Sequence, residues 1–425
     1  MSIRHLLLNV SLLTVSAQAY VVQPGDTLFS IARRAGVSVA ELQRLNNLGD
    51  TALKVGQNIT LPGEAVSPSL PPPTTPLLPT SPLPSASLPT LTCGPAVTAP
   101  APSVPLPAVV TGKVSFYATV YDPGTMTSGQ AYAIGPANVV MPLASTYKPT
   151  VLWAALRDVD AGRLKLNTPL TTTEANRSIE DYTPGTNPLL KLAHRAIEES
   201  ENTAADILHR TVGTERVATL VSRLSPCTNV LLTTKTFWAA QAGMLPDLIP
   251  ATDHATLLGA AAQYQGLAPA ERLAFASRLN AASLKVSAPV LLQQLDLYFG
   301  GSTYDPSFDT AFQNTSTARA FTDLTAALYL RSGLKPQTRQ IMREIMAKGC
   351  CHPKKAPFTY TYWGSKAGSG WRLLNLTGYV ELPDGRALAY TYLNHESNTL
   401  DAEEMEEQIV PVTNWIGAVL GQLSK

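Results

Sequence analysis

The stretch from Gly63 to Pro107 sets the first limit on what this chain can fold into. It holds fourteen of the 34 prolines in 425 residues and one charged residue, Glu64, among short aperiodic groups of Pro, Ser, Thr and Leu. Proline lacks a backbone donor and fixes φ, so neither a helix nor a central strand runs through such a segment. Its composition also buries too little apolar surface to offset the entropy of ordering. It reads as a disordered, extended spacer over 63–110, whose 45 proline-rich residues reach at most ~140 Å at ~3.1 Å per residue. The chain is thereby divided into a small piece, 20–62, and a large one, 111–425. The overall 45% hydrophobic content gives the large piece material for a buried core. Lys+Arg 32 against Asp+Glu 31 leaves a formal charge of +1, which removes any bulk electrostatic case for nucleic acid.

The first nineteen residues follow the order of a secretory signal peptide. A basic start with Arg4 precedes the apolar run Leu6 to Val15, and Ala17-Gln18-Ala19 offers an A-x-A cut after Ala19. The apolar run is well short of the ~20 residues that span a bilayer. The expected product is secreted, periplasmic or cell-wall associated, with no membrane contact once the signal is removed. Four cysteines, Cys93, Cys227, Cys350 and Cys351, are too few for a disulfide scaffold and lack zinc-site spacing, so no metal or cofactor is expected. In an oxidising compartment a link from Cys227 to Cys350 or Cys351 is the expected staple, with Cys93 isolated in the spacer. Three pairings stay open.

Residues 20–62 read as a β-α-α-β unit. Tyr20-Val21-Val22 is β-branched, Gly25-Asp26 is a turn, and Leu28, Ile31 and Ala32 share one helical face. Ser38-x-x-Glu41 is a capping box opening a second helix with Leu42 and Leu45, and Gln57 to Leu61 closes as a strand. The opening V-x-x-G-D-T-L-x-x-I-A and the ending V-G-Q-x-I-x-L-P resemble the LysM module. That resemblance implies binding to N-acetylglucosamine-containing glycan such as peptidoglycan. It points to Gly25, Asp26, Thr27, Leu28, Asn47, Leu48 and Gly49 as the glycan-binding groove.

Beyond Val109 the pattern changes to short strands, then long helices, then strands again. Val114 to Val120 and Gln130 to Ile134 suggest a hairpin; Thr150 to Asp158 and Leu189 to His209 suggest helices. Tyr360 to Ser365, Leu374 to Glu381 and Arg386 to Leu393 suggest a terminal antiparallel set before a helix from Ala402 to Leu423. A sheet assembled from both chain ends around a helical middle makes the whole protein a multidomain α+β chain.

Three separated motifs carry chemistry. Ser145-Thr146-Tyr147-Lys148 opens a helix, where residues i and i+3 share a face and set an amine beside a hydroxyl. A serine hydroxyl needs such a base to become a nucleophile. Ser200-Glu201-Asn202 lies in a turn between helices, and Lys366-Ala367-Gly368-Ser369-Gly370 follows a strand-like run. Small residues there let a backbone approach a substrate closely.

Together the motifs resemble those of the penicillin-recognising serine hydrolases: class A β-lactamases, penicillin-binding proteins and D,D-peptidases. Glu201 and Ala367 depart from that family's letters, and neither is the nucleophile or its base. The resemblance implies Ser145 as the acylated nucleophile, with Lys148 as its base. Ser200 would relay a proton to the leaving nitrogen, and Asn202 would hold the substrate amide. Lys366 would bind the substrate carboxylate and repel charge on Lys148. The backbone N–H groups of Ser145 and Ser369 would form an oxyanion hole, flanked by Gly368 and Gly370, with Arg372 adding charge for the carboxylate.

Class A β-lactamases deacylate through a glutamate between the second and third motifs. No Glu occurs from Arg216 to Ala270, and only Asp247 and Asp253 are acidic there. Acylation without fast deacylation is the expected behaviour. The histidines show no acidic partner at a recognisable spacing, which leaves little support for a Ser-His-Asp triad. Three functions are distinguished: a wall-bound serine hydrolase acting on peptidoglycan stem peptides and binding β-lactams, a β-lactamase with atypical deacylation, and a non-catalytic wall-binding or β-lactam-sensing protein.

Overall fold

A computed structural model of the chain describes residues 18–22, 31, 35, 39–48, 54, 56–61, 88–179, 184–250, 253–300 and 304–425. They belong to two compact units, Met1–Pro72 and Pro73–Lys425. Among the described residues, no helix is long and apolar enough to cross a membrane.

In the small unit, β1 (Gln18–Val21) pairs antiparallel with β2 (Asn58–Leu61), and α1 (Val39–Asn46) lies between them in sequence. Val22, Ile31, Leu42 and Ile59 form its core. Asn46 binds the helix to the sheet: its side-chain carbonyl accepts the Thr60 N–H at 2.6 Å and its amide donates to the Thr60 carbonyl at 2.9 Å. A side-chain amide thus substitutes for one strand residue at an otherwise open edge. Asn47 follows at φ 54, a left-handed residue that ends the helix. The expected helix through Leu28, the Ser38 cap and the signal segment 1–17 lie outside the described residues. β1 begins at Gln18, two residues ahead of the cut expected after Ala19.

The large unit opens with β3 (Lys113–Tyr121), β4 (Ser128–Ile134) and β5 (Val140–Pro142). A helical middle follows: α2 (Lys148–Asp160), β6 (Pro169–Thr172), β7 (Gly185–Pro188), α3 (Leu189–Glu198), α4 (Asn202–Val212), α5 (Thr214–Leu224), α6 (Thr234–Gln241), α7 (His254–Gly266), α8 (Pro269–Ala282), α9 (Ala288–Gly300), α10 (Ser307–Phe312), β8 (Thr315–Thr317), α11 (Ala318–Leu330) and α12 (Pro336–Ala347). The chain returns through β9 (Tyr362–Gly370), β10 (Leu373–Glu381) and β11 (Ala387–His395), then α13 (Ala402–Glu406) and α14 (Ile409–Leu423).

The main sheet has the order β4-β3-β11-β10-β9, antiparallel throughout, so strands from both ends of the unit pair at its centre. Along β3, Phe116, Ala118 and Val120 pack with α14 residues such as Trp415 and Val419, while Tyr117 and Tyr121 enter the larger core on the opposite face. Side chains alternate faces along a strand, and both faces are covered, which is why these strands are apolar almost continuously. α2 is central to the larger core: Val151 to Leu156 are all buried.

The turn expected at Ser200 parts α3 from α4, with Ser200 at φ 56. Several other expectations need correction. The terminal helix is two, because Pro411 has no N–H to give the carbonyl four residues back and its ring crowds that position. The spacer expected to run to 110 gives way at Leu88 to a strap laid along the large unit. Thr92 bridges Val139, Val140 N–H donates to the Leu91 carbonyl at 2.8 Å, and Trp415 Nε1 donates to the Val104 carbonyl at 3.0 Å. Between its prolines, Leu88, Val97, Ala99, Val104 and Leu106 pack against the two cores.

The disulfides are not the expected staple. Cys93 pairs with Cys227 across 134 residues, and Cys350 pairs with its neighbour Cys351. Cross-linking restricts the unfolded chain in proportion to the logarithm of the loop, so the first link stabilises by up to about 5 kcal/mol and the second by almost nothing of that kind. Replacing Cys93 and Cys227 by Ser is expected to lower the melting temperature by about 5–10 °C in a calorimetric scan. The same replacement at Cys350 and Cys351 should move it by no more than ~2 °C; equal effects would disprove this division of roles.

Candidate active site

The turn that carries Ser145 is built where β5 hands the chain to α2. Ala144–Tyr147 forms a single 3-10 turn entered through Ala144 at φ 44, a left-handed residue without glycine's freedom. Such a conformation costs of order 1–3 kcal/mol and persists only where neighbours impose it. Here the Leu143 N–H donates to the Asn314 carbonyl, and the Asn375 amide of β10 donates to the Pro142 carbonyl, both at 2.8 Å. Pro149 then sits in the first turn of α2, where its missing N–H leaves no bond unmade.

Lys148 is 1% exposed and reaches away from α2 into the turn between α3 and α4. Its Nζ donates to the Ser200 carbonyl at 2.5 Å, to Asn202 Oδ1 at 2.8 Å and to Ser200 Oγ at 3.3 Å. Ser200, at φ 56, is the second non-glycine left-handed residue of the site, and this turn aims both its carbonyl and its hydroxyl at Lys148. Glu201, the residue between the two partners of Lys148, is buried and ion-paired with Arg195 of α3, fixing the turn from behind.

The third side comes from β9. Lys366, also 1% exposed, donates to Ser200 Oγ at 2.8 Å and to the Ala367 carbonyl at 2.7 Å. Two buried lysines therefore share one serine hydroxyl. Complete desolvation, then repulsion from Lys148, holds the Lys366 pKa well below the ordinary lysine value, and Glu406 draws it back up.

Gly368 is required by contact. A Cβ at this position would stand 2.4 Å from the Ser145 nitrogen and 2.9 Å from the Thr146 nitrogen. Only a bare backbone lets β9 lie against the Ser145 turn, leaving the Ser145 N–H unobstructed. The half-buried Ser369 turns its hydroxyl to Glu406 Oε1 at 2.5 Å, and Gly370 ends the strand.

Arg372 departs from its expected role. Its guanidinium donates to the Ser397 carbonyl at 2.6 Å and the Glu396 carbonyl at 3.3 Å, bracing the β9–β10 turn instead of waiting for a carboxylate. The helical middle reaches this turn: Phe299 of α9 stacks on Trp371 at 4.8 Å between ring centroids.

Below the site, the buried Asp206 of α4 accepts the N–H groups of Thr234 and Lys235 at 2.7 and 2.9 Å, anchoring the start of α6. Tyr147 adds a hydroxyl contact to Thr234 at 3.0 Å. Lys235 is buried against the Ala175 carbonyl, and desolvation lowers its pKa to about 8. Asp253 is spent on the N-cap of α7, and Asp247 is exposed between α6 and α7.

Three histidines do have acidic partners, contrary to expectation: His194 with Glu198, His254 with Asp305 and His395 with Asp309. None of these pairs includes a residue of the three motifs. His209 is buried, and its pKa falls to about 3, so it stays neutral. In the small unit Asn47 is exposed and Leu48 packs on the core, while Gly25, Asp26, Thr27, Leu28 and Gly49 lie outside the described residues. Glu406, Trp371 and Asp206 are not legible from sequence, because each acts through a contact between distant segments.

Comparison with known proteins agrees with both units. The model of the LysM domain matches residues 20–62, and that of the Beta-lactamase enzyme family matches residues 110–416. A probable N-acetylmuramidase of Lactococcus lactis is 48% identical over 48 residues, 11% of each chain. The β-lactamase regulatory protein BlaB of Streptomyces cacaoi is 31% identical over 156 residues, 33% of this chain and 47% of its own. The chain thus spans less than half the length of these curated relatives. Among solved structures, a β-lactamase from Chitinophaga pinensis is 17% identical, with a TM-score of 0.47, over 74% of this chain and 96% of its own. A mutant of PBP-A in an acyl-enzyme complex with penicillin G is 16% identical with a TM-score of 0.46, over 73% and 91%. By the family model, which spans most of its length, the chain belongs to the β-lactamase enzyme family and carries a LysM domain ahead of that fold.

Proposed function

We propose that this protein is an exported serine hydrolase held at the cell wall by its LysM module, that it opens amide bonds of peptidoglycan stem peptides, and that β-lactams acylate it. The observation that carries the reading is the meeting of Lys148, one turn along the chain from Ser145, with Lys366 at Ser200 Oγ.

In acylation, Ser145 Oγ forms a bond to the substrate carbonyl carbon as its proton passes to Lys148. The carbonyl oxygen becomes an oxyanion against the N–H groups of Ser145 and Ser369. The C–N bond then breaks, and Ser200 hands its proton to the leaving nitrogen while taking one from Lys148, whose Nζ already contacts it. Repulsion between the two amines favours one neutral partner; once a substrate carboxylate holds the charge on Lys366, that partner is Lys148, free to act as the base. Lys366 meets the substrate carboxylate, and Asn202 holds the acyl-side amide. Water completes the cycle: its oxygen bonds to the acyl carbon, the bond from that carbon to Ser145 Oγ breaks, one water proton returns to Oγ, and the carboxylic acid leaves. The absence of a glutamate from Arg216 to Ala270 makes this last step slow.

Purified protein exposed briefly to benzylpenicillin should carry a persistent adduct in intact-mass spectra, lost in Ser145→Ala. Rapid loss of the adduct with released product would instead establish a β-lactamase, and no adduct would leave a binding protein. Gly368→Val places carbon atoms on the Ser145 nitrogen and should slow acylation by at least about 10²-fold with an unchanged circular dichroism spectrum. A normal rate in that variant would remove the oxyanion-hole assignment. In sedimentation with isolated peptidoglycan, the full chain should pellet and a chain lacking residues 20–62 should stay in solution; co-sedimentation of both would refute the LysM tether.

A further inference from the structure

A cleft of about 500 Å³ opens where the strap crosses the large unit, and no residue of the three motifs lines it. Leu91 of the strap and Val140 and Met141 of β5 make its apolar wall. The polar side comes from three other elements: Gln265 of α7, Ser307 of α10 and His395 of β11. Its volume falls within the ~300–1,000 Å³ that small-molecule sites occupy.

The charged groups around the cleft are already engaged. Lys113 Nζ and Glu396 Oε1 stand 2.5 Å apart. Asp305 accepts the Ser307 N–H at 2.8 Å and meets His254 Nε2 at 3.2 Å. His395 meets Asp309 Oδ2 through Nε2 at 3.2 Å, and its Nδ1 has no partner among the described residues. A charged guest therefore finds no free counter-charge, and a carboxylate would meet Glu396 and Asp305.

The groups left over are neutral. Both amide atoms of Gln265 and the Ser307 hydroxyl are buried with no hydrogen-bond partner among the described residues. Native proteins leave few buried polar groups in that state, because each forfeits its hydrogen bonds to water without replacement. Three such atoms at one cleft mark hydrogen-bonding capacity held for something that enters it. Gln265 turns about three side-chain torsions, enough to bring its amide to a guest.

We propose that this cleft is a binding site separate from the Ser145 site, and that it takes an uncharged aliphatic amide, the class to which the blocked end of a short peptide belongs. An amide carries a donor and an acceptor side by side, so it pairs with the Gln265 amide in both directions at once. Its hydrocarbon then lies against Leu91, Val140 and Met141. The assignment does not depend on the hydrolase reading.

Titration calorimetry of the full chain with N-acetyl-L-leucinamide should give saturable binding with a Kd of about 1 mM. Gln265→Leu, which removes the amide at similar volume, should weaken that binding about tenfold or more. The melting temperature of the free Gln265→Leu protein should stay level or rise, because two unmet polar atoms are gone. Thr90→Trp, a substitution at an exposed position of the rim, should fill the cleft and abolish binding. Free leucine, charged at both ends, should bind at least about tenfold more weakly than the amide. Ser145→Ala should bind the amide as the native protein does. Absent binding in the native protein, undiminished binding in Gln265→Leu or Thr90→Trp, or equal binding of leucine would overturn the site. A lower melting temperature in Gln265→Leu would show its amide satisfied within the fold, and lost binding in Ser145→Ala would put the probe at the Ser145 site; either result also rejects the assignment.

Discussion

Two buried lysine amines meeting at a single hydroxyl is the arrangement around which the large unit is organised. Lys148 comes from the first turn of the central helix, Ser200 from a break between two helices, and Lys366 from an edge strand, so three separate elements must be in place before the contact exists. Taking charged amines out of water is costly unless their hydrogen bonds are met. The turn at Ser200 meets them by pointing carbonyl and hydroxyl oxygens inward, which requires a left-handed serine. The Arg195–Glu201 pair behind it and the Asp206 anchor below hold that conformation in place.

The site is consequently a product of backbone irregularity held by regular elements. Ala144 and Ser200 are both strained, and both lie at the entry to a helix whose body is densely buried. Gly368 answers from the sheet, its missing side chain allowing strand and turn to touch. Strain concentrated at such points is what a rigid surrounding makes possible.

Much of this is legible in the chain, for reasons that differ by residue. The α+β order follows from the apolar runs of β3, β10 and β11, and the three motifs stand out because their spacing on helices and strands is local. What stays hidden is carried by contacts between segments far apart in sequence. Glu406 against Ser369, Asp206 against Thr234 and the Cys93–Cys227 link each join residues that no local pattern relates. Proline content alone misreads the strap over 88–110, since prolines also suit an extended chain lying on a surface, with Leu and Val between them as anchors. Arg372 misleads in the same way, because a charge near a motif says nothing of which carbonyls lie closer.

The central pairing in the sheet has a consequence for the order in which the protein comes into being. β3 begins at Lys113 and its partner β11 ends at His395, so the pair joins chain segments made early and late in synthesis. Contacts of such long separation form slowly, because a large loop must close before they contribute. A nascent chain still lacking β11 has no strand to link β3 to β10 and β9, and therefore no Lys366 beside Ser200. The meeting of Lys148, Ser200 and Lys366 is withheld from every shorter intermediate and arrives with the finished sheet.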